Sequence, residues 1–228
     1  RHAVTPFGAE PLPAPSSRWR TVRGRSPAVQ PLRRPEAACP DRGGFDANGR
    51  DLALAHINPP GIRGEIPYAG SKLYGILRKP TGARRPPVVV LCMGMDSAKE
   101  EMATNEYHFL VRGMATLTFD GPGQGEAEYE FPILPEYEAA GAAVIDYLET
   151  RDDVDAARVG LWGVSFGGYY APRAAAFEPR AKACIGISGP FNFGPLFRAS
   201  GGNEVFRVRA HAKTMEEAFE IADRVDLT

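Results

Sequence analysis

The chain has 228 residues, of which 43% are apolar and 24% charged, with a net charge of −1. That balance belongs to a globular protein with enough apolar material for a core, and the length suits one domain, or one domain with appendages. The longest apolar runs, such as Val88 to Met93, fall far short of the ~20 residues a membrane helix needs, so no membrane partner is expected. The charge is uneven: positions 1–60 hold nine Arg and no Lys against five acidic residues. The remainder is acidic, and nothing in it suggests a nucleic-acid surface.

Residues 1–58 are dominated by Pro and Arg, as in Pro11-Leu12-Pro13-Ala14-Pro15 and Pro31-Leu32-Arg33-Arg34-Pro35. No helical or strand period persists there. Too little apolar surface is present to offset the entropy of ordering, so a disordered extension is expected. A basic tail for nucleic acid and a misassigned gene start are the competing readings; the chain lacks an initiating Met, and its first Lys is Lys72. No charged-then-apolar signal pattern opens it. Cys39, Cys92 and Cys184 make an odd count, and the last two lie in apolar, strand-like runs. They read as buried reduced thiols, which suits a cytoplasmic protein.

From Gly61 the texture changes. Arg63 to Tyr68 and Lys72 to Arg78 read as a strand pair across Ala69-Gly70. Val88 to Met93 is a continuous apolar run, as expected of a strand buried on both faces. Glu100 to Arg112 reads as a helix ended by Gly113. Ala115 to Phe119 is the next strand, stopped by Asp120-Gly121-Pro122-Gly123. Pro135 to Thr150 reads as a helix, Val159 to Trp162 as a short strand, Phe166 to Phe177 as a helix and Ala183 to Ile187 as a strand. Strand and helix alternate, which implies an α/β fold with a mostly parallel sheet covered on both faces. Residues 190–228 break the alternation, and Thr214-Met215-Glu216-Glu217 is a capping box opening a helix to about Val225. No internal repeat is present.

The chemistry is concentrated in Gly163-Val164-Ser165-Phe166-Gly167. A serine hydroxyl is a poor nucleophile at neutral pH and needs a base and oxyanion donors. In G-x-S-x-G the serine sits on a strained strand-to-helix turn, with small neighbours that let the backbone pass closely. Leu161-Trp162 ends a predicted strand and Phe166-Gly167-Gly168-Tyr169 opens a predicted helix, so the context is the required one. A tight turn with a capping serine is the plain alternative, but it leaves the flanking glycines unexplained. The oxyanion donors are expected to be the N–H of Phe166 and the N–H of Met95, in the loop after the Val88 strand, with Gly94 permitting the turn.

Asp120-Gly121-Pro122-Gly123-Gln124-Gly125-Glu126 resembles a phosphate loop superficially. It fails G-x-G-x-x-G at Glu126 and lacks a P-loop Lys, so it reads as a rigid turn at the mouth of the site. Glu126 either touches substrate or fixes that turn. Pro172 sits inside the elbow helix and should kink it or open it locally. Phe191, Phe193, Phe197 and Phe206 line an apolar pocket or fill a small core of their own. No cofactor or metal is expected.

From about Gly61 to Thr228 the chain resembles the α/β-hydrolase family, in its branch of fermentation-respiration-switch-type esterases and 2,6-dihydroxypseudooxynicotine hydrolase. The stretches that carry the resemblance are Met93 to Glu101, Arg112 to Thr116, Phe119 to Glu126, Gly163 to Tyr170, Glu178-Pro179-Arg180 and the Glu216-Glu217-Ala218 helix. The Gly-x-Ser-x-Gly-Gly-Tyr part is also similar to prolyl-oligopeptidase-type peptidases. The resemblance implies a Ser–Asp–His triad in that chain order, with Ser165 as nucleophile and Phe166 and Met95 as oxyanion donors. It also implies a helical cap after the strand that follows the elbow helix, so residues 59–189 would be a partial hydrolase core and 190–228 the start of the cap.

In such enzymes the acid and histidine follow later strands. His211 is the only His after Ser165 and falls in the expected cap, as do Asp223 and Asp226; His56 and His108 precede the nucleophile. None is expected to be the base, which places the triad acid and base beyond Thr228 and makes the chain a fragment with little activity alone. The expected function is serine hydrolysis of an ester, an amide or an activated C–C bond next to a carbonyl, on a small-molecule substrate. A non-catalytic, hydrolase-like binding protein is the alternative. Relatives of this type pair, which leaves a homodimer open.

Overall fold

The computed structural model describes residues 53–228. The disordered extension expected for residues 1–58 lies almost wholly outside them, as does Cys39.

Six strands form one sheet in the order β1-β2-β4-β3-β5-β6. β1 (Gly61–Tyr68) and β2 (Ser71–Arg78) are an antiparallel hairpin in full register, Gly61 opposite Arg78 and Tyr68 opposite Ser71. The two turn residues, Ala69 and Gly70, have φ of 48° and 80°. Positive φ at both centres is what lets a two-residue turn match the twist of its strands. β2 also pairs antiparallel with β4 (Ala115–Asp120). From there the sheet is parallel: β3 (Pro87–Cys92) lies between β4 and β5 (Asp155–Val164), and β6 (Ala181–Ile187) pairs with β5.

The helices follow the strands as expected of β-α-β units. A 3-10 turn, Lys99–Met102, leads into α1 (Ala103–Leu110), which precedes β4. α2 (Glu138–Glu149) joins β4 to β5, and α3 (Gly167–Phe177) joins β5 to β6. The predicted helix over 100–112 is thus split, and Gly113, at φ 80°, terminates the segment. β5 begins four residues before its predicted start, because Asp155 pairs with Pro87; the register then shifts, and regular pairing resumes at Val159 opposite Val88.

Two cores explain the continuous apolar run of β3. Val88, Val90 and Cys92 point to the larger core, with Leu117, Phe119, Val144, Tyr170, Phe197 and Phe206. Val89, Leu91 and Met93 point to a smaller one with Met102 and Trp162, against which Phe109 packs. Alternate side chains face opposite sides of a strand, so a centrally placed strand must be apolar at every position. Each such side chain contributes about 1.5–3 kcal/mol when fully buried.

β6 corrects one expectation. It is the outer strand, with no neighbour beyond it among the described residues, and Lys182 to Ile187 are exposed. Cys184 is therefore exposed, whereas Cys92 on central β3 is only 2% exposed. Burial raises the thiol of Cys92 well above its ordinary pKa, and partial desolvation by its neighbours raises that of the more exposed Cys184.

Residues after β6 form three short helices: α4 (Phe193–Ala199), α5 (Glu204–Arg209) and α6 (Met215–Asp223). They are called the cap below. Thr214 Oγ1 accepts from Glu217 N at 3.2 Å, as the capping box requires. The reciprocal bond is displaced by one residue: Glu217 Oε2 accepts from Lys213 N at 2.7 Å.

Candidate active site

The strand order creates the site. From β3 the chain moves to β4 on one side, and from β5 to β6 on the other. Loops leaving the C-terminal ends of β3 and β5 therefore diverge and leave a crevice between them, where parallel sheets bind ligands. Ser165 closes the β5 loop and residues 93–97 form the β3 loop.

Ser165 is exposed and has φ 56°, the left-handed region that an L side chain enters at a cost. Its N–H donates to Ile187 O at 2.9 Å, and its carbonyl accepts from Gly168 N at 2.8 Å. The turn is possible only because its neighbours lack side chains. A Cβ on Gly163 would lie 1.9 Å from the Gly167 carbonyl oxygen, and one on Gly167 would lie 2.0 Å from the Cys92 carbonyl oxygen. Both flanking glycines of the motif are thus required by backbone contact.

Pro172 does not break α3, which runs on to Phe177. The carbonyl it leaves without a helical partner, that of Gly168, lies against Gly186 and Gly189, where a Cβ would approach it to 2.9 Å and 2.4 Å. The proline ring itself packs on Gly186 of β6.

Gly94 is the part of the β3 loop beside Ser165: a Cβ there would be 3.5 Å from Ser165 Cβ and 3.6 Å from Ser165 Oγ. The loop is held by Gln124. The side-chain Nε2 of this fully buried residue donates to Met93 O at 3.0 Å and to Gly94 O at 2.7 Å. Its Oε1 accepts from Gly121 N at 3.1 Å. A trans peptide points its C=O and the following N–H in opposite directions. With the Gly94 carbonyl on Gln124, the Met95 N–H is directed away from the interior. With the Ser165 carbonyl on Gly168, the Phe166 N–H is directed away from the helix.

Most amides of the turn after β4 are engaged within the chain. Gly123 N donates to Phe131 O, Gln124 N to Gly121 O, and Glu126 N to Asp120 Oδ2 at 3.0 Å. Glu126 fixes this turn. It receives two hydrogen bonds from Arg63, at 2.9 Å and 2.7 Å, and one from Lys99 Nζ at 2.6 Å. Burial pushes its carboxyl up, but the bonds from Arg63 and Lys99 outweigh burial and hold it at about 2. Lys99 is itself buried and reaches Asp120 Oδ2 at 2.7 Å. Burial works against its charge, and Asp120 more than restores it, so its pKa lies above the ordinary value.

Among the remaining candidates, Phe193 packs edge-on against Phe166, ring centroids 5.1 Å apart. Phe197 and Phe206 are buried and belong to the core of the cap with Phe219, while Phe191 is 63% exposed. His211 Nε2 is 2.7 Å from the carbonyl of Glu128, and His108 is exposed on α1. Among the described residues, no histidine or carboxylate hydrogen-bonds Ser165 Oγ. Two residues that sequence reasoning did not single out hold the site together: Gln124 and, from α5, Arg209. Their partners lie 30 and 114 positions away, and no local pattern signals such pairs.

Comparison with known proteins bears on the family and the fold. A family model described as esterase FrsA-like matches residues 62–193. The chain is 41% identical over 133 residues to 2,6-dihydropseudooxynicotine hydrolase of Paenarthrobacter nicotinovorans, covering 58% of this chain and 36% of that protein. It is 38% identical over 157 residues to the α/β hydrolase psoB of Aspergillus fumigatus, covering 58% and 35%. The crystal structure of 2,6-dihydroxy-pseudo-oxynicotine hydrolase superposes with a TM-score of 0.70 at 33% identity, over 77% of this chain and 50% of that one. The chain thus spans about a third of the length of the curated relatives it matches.

Proposed function

The chain belongs to the esterase FrsA-like family of α/β hydrolases, and we propose from that membership and the elbow that it carries the nucleophile of a serine hydrolase. The substrate class is a small molecule with an ester, an amide or an activated C–C bond next to a carbonyl. Ser165 Oγ attacks the carbonyl carbon. The oxygen that becomes negative is met by the N–H of Phe166 and the N–H of Met95, and the N-terminus of α3 adds a favourable field. The proton of Ser165 leaves to a base that the described residues do not supply, since His211 is engaged at Glu128.

The observation that carries this reading is the positive φ of Ser165 at the end of β5, between two glycines that admit no Cβ. A strained, exposed serine in that position has a chemical use and no packing use. The test is labelling of the intact protein with a fluorophosphonate probe. Labelling that disappears in Ser165→Ala supports the assignment; equal labelling of the variant overturns it. The thiols of Cys92 and Cys184, both free, suit a reducing cytoplasm. The homodimer that the resemblance leaves open is checked by sedimentation.

A further inference from the structure

The two expected oxyanion donors sit on the core, yet the cap holds both residues that carry them. The Phe166 ring packs edge-on against Phe193 at 5.1 Å and against Phe206 at 6.1 Å. On the other side, Arg209 Nη1 donates to Met95 O at 3.0 Å and to Gly123 O at 3.1 Å. Its Nη2 lies 3.1 Å from Glu128 Oε2, and its own carbonyl accepts from Ile133 N at 2.8 Å. One residue at the end of α5 therefore ties the β3 loop, the turn after β4 and the segment beyond it to the cap.

The consequence follows from peptide geometry. Gln124 sets the plane of the peptide between Gly94 and Met95 from the core side. Arg209 sets the plane of the next peptide, between Met95 and Asp96, from the cap side. The Met95 N–H lies in the first of these planes, the one Gln124 holds. Arg209 holds the next plane, so it fixes the path of the loop after Met95 and restrains the donor residue from turning about its own Cα. Without Arg209 the donor peptide is held from one side only. A guanidinium suits this task, because its donors form a rigid fork that engages several acceptors at once.

We propose that Arg209 is a positioning residue that makes seating of the cap and assembly of the oxyanion hole a single event. The cap is then part of the catalytic apparatus as well as a wall over the crevice. The inference rests on Ser165 and Met95 acting as described above. An oxyanion donor matters most when charge develops on the carbonyl oxygen, so its loss is felt in the transition state and little in the bound substrate.

The experiment is steady-state hydrolysis of a p-nitrophenyl ester by the intact protein. Variants Arg209→Gln, Arg209→Lys and Arg198→Gln are compared, with Ser165→Ala as reference. Arg198 pairs with Asp223 at an exposed site in the cap and controls for general damage there. In Arg209→Gln, kcat should fall about 10- to 100-fold with KM within about threefold. Arg209→Lys should recover part of the loss, and Arg198→Gln should match the parent. An unchanged kcat in Arg209→Gln overturns the inference. So does a joint loss of kcat, KM and melting temperature with no recovery in Arg209→Lys, which would mark a merely structural residue. Turnover that persists in Ser165→Ala removes the nucleophile reading and this inference with it. Turnover lost in Ser165→Ala but kept in Arg209→Gln removes only the latter.

Discussion

Gly167 touches Cys92 through backbone alone: the Cβ it lacks would stand 2.0 Å from the Cys92 carbonyl oxygen. Cys92 ends β3 and Gly167 opens α3, so this contact joins the two loops of the crevice. Gly167→Ala must move one of them. A shift of that size in a packed backbone should cost about 3–5 kcal/mol, among the larger effects of a single substitution. Denaturant unfolding of the variant measures it. A loss below about 1 kcal/mol, the ordinary effect of a substitution, would show that the loops are free to separate.

Gln124 leaves no polar atom idle. Gln124→Met keeps its volume but strands the carbonyls of Met93 and Gly94 and the amide of Gly121. Each buried group left without a partner costs about 1–3 kcal/mol, so a total of several kcal/mol is expected. Gln124→Glu should be worse, because a carboxylate would face two carbonyl oxygens. If the two variants unfold at the same denaturant concentration as the parent, the role assigned to the amide is wrong.

Arg78 and Glu106 form a second buried device, away from the crevice. Their side chains are 6% and 5% exposed and 2.9 Å apart, and Thr116 Oγ1 donates to the other Glu106 oxygen at 2.7 Å. Arg78 also donates to the carbonyls of Asn58 and Pro59. Removing one partner of such a pair leaves an uncompensated charge, at about 3–5 kcal/mol. Arg78→Met and Glu106→Gln should each destabilise by that order, and the double variant by less than their sum. A double-mutant cycle reads this directly, and strict additivity would rule it out.

Glu126 predicts an acid limb. Its carboxyl is held at about 2, below the ordinary value of 4.5. A depressed folded-state pKa contributes stability that is fully present above the unfolded value and disappears as pH falls through the folded one. Unfolding free energy should therefore decline between about pH 5 and pH 2, and more steeply than in Glu126→Gln. Asp153, whose carboxyl Arg151 holds well below its usual range, acts on the same limb. Parallel curves for parent and Glu126→Gln would dismiss the assignment.

What the sequence made legible is what repeats locally. Apolar runs place β3, β4 and β6, and the two glycines flanking Ser165 place the elbow. The β5 start is not legible because Asp155-Ala156-Ala157-Arg158 has no apolar run, and its strand character comes from the pairing of Asp155 with Pro87. Cys184 was misjudged because an apolar strand reads the same at the centre of a sheet as at its border. Gln124 and Arg209 were invisible for a different reason. A residue that holds a backbone carbonyl many positions away leaves no period and needs no particular neighbour, so only the folded chain reveals it.

The left-handed backbone of Ser165 costs the fold stability at the residue proposed as nucleophile. A glycine there would relieve the crowding of its Cβ, which costs about 1–2 kcal/mol in that region. Part of this gain would be returned through the greater freedom of the unfolded chain. Ser165→Gly would thus be at least as hard to melt as the parent and chemically silent. On the proposal that Ser165 is the nucleophile, the chain forgoes that stability for a hydroxyl that a glycine cannot supply.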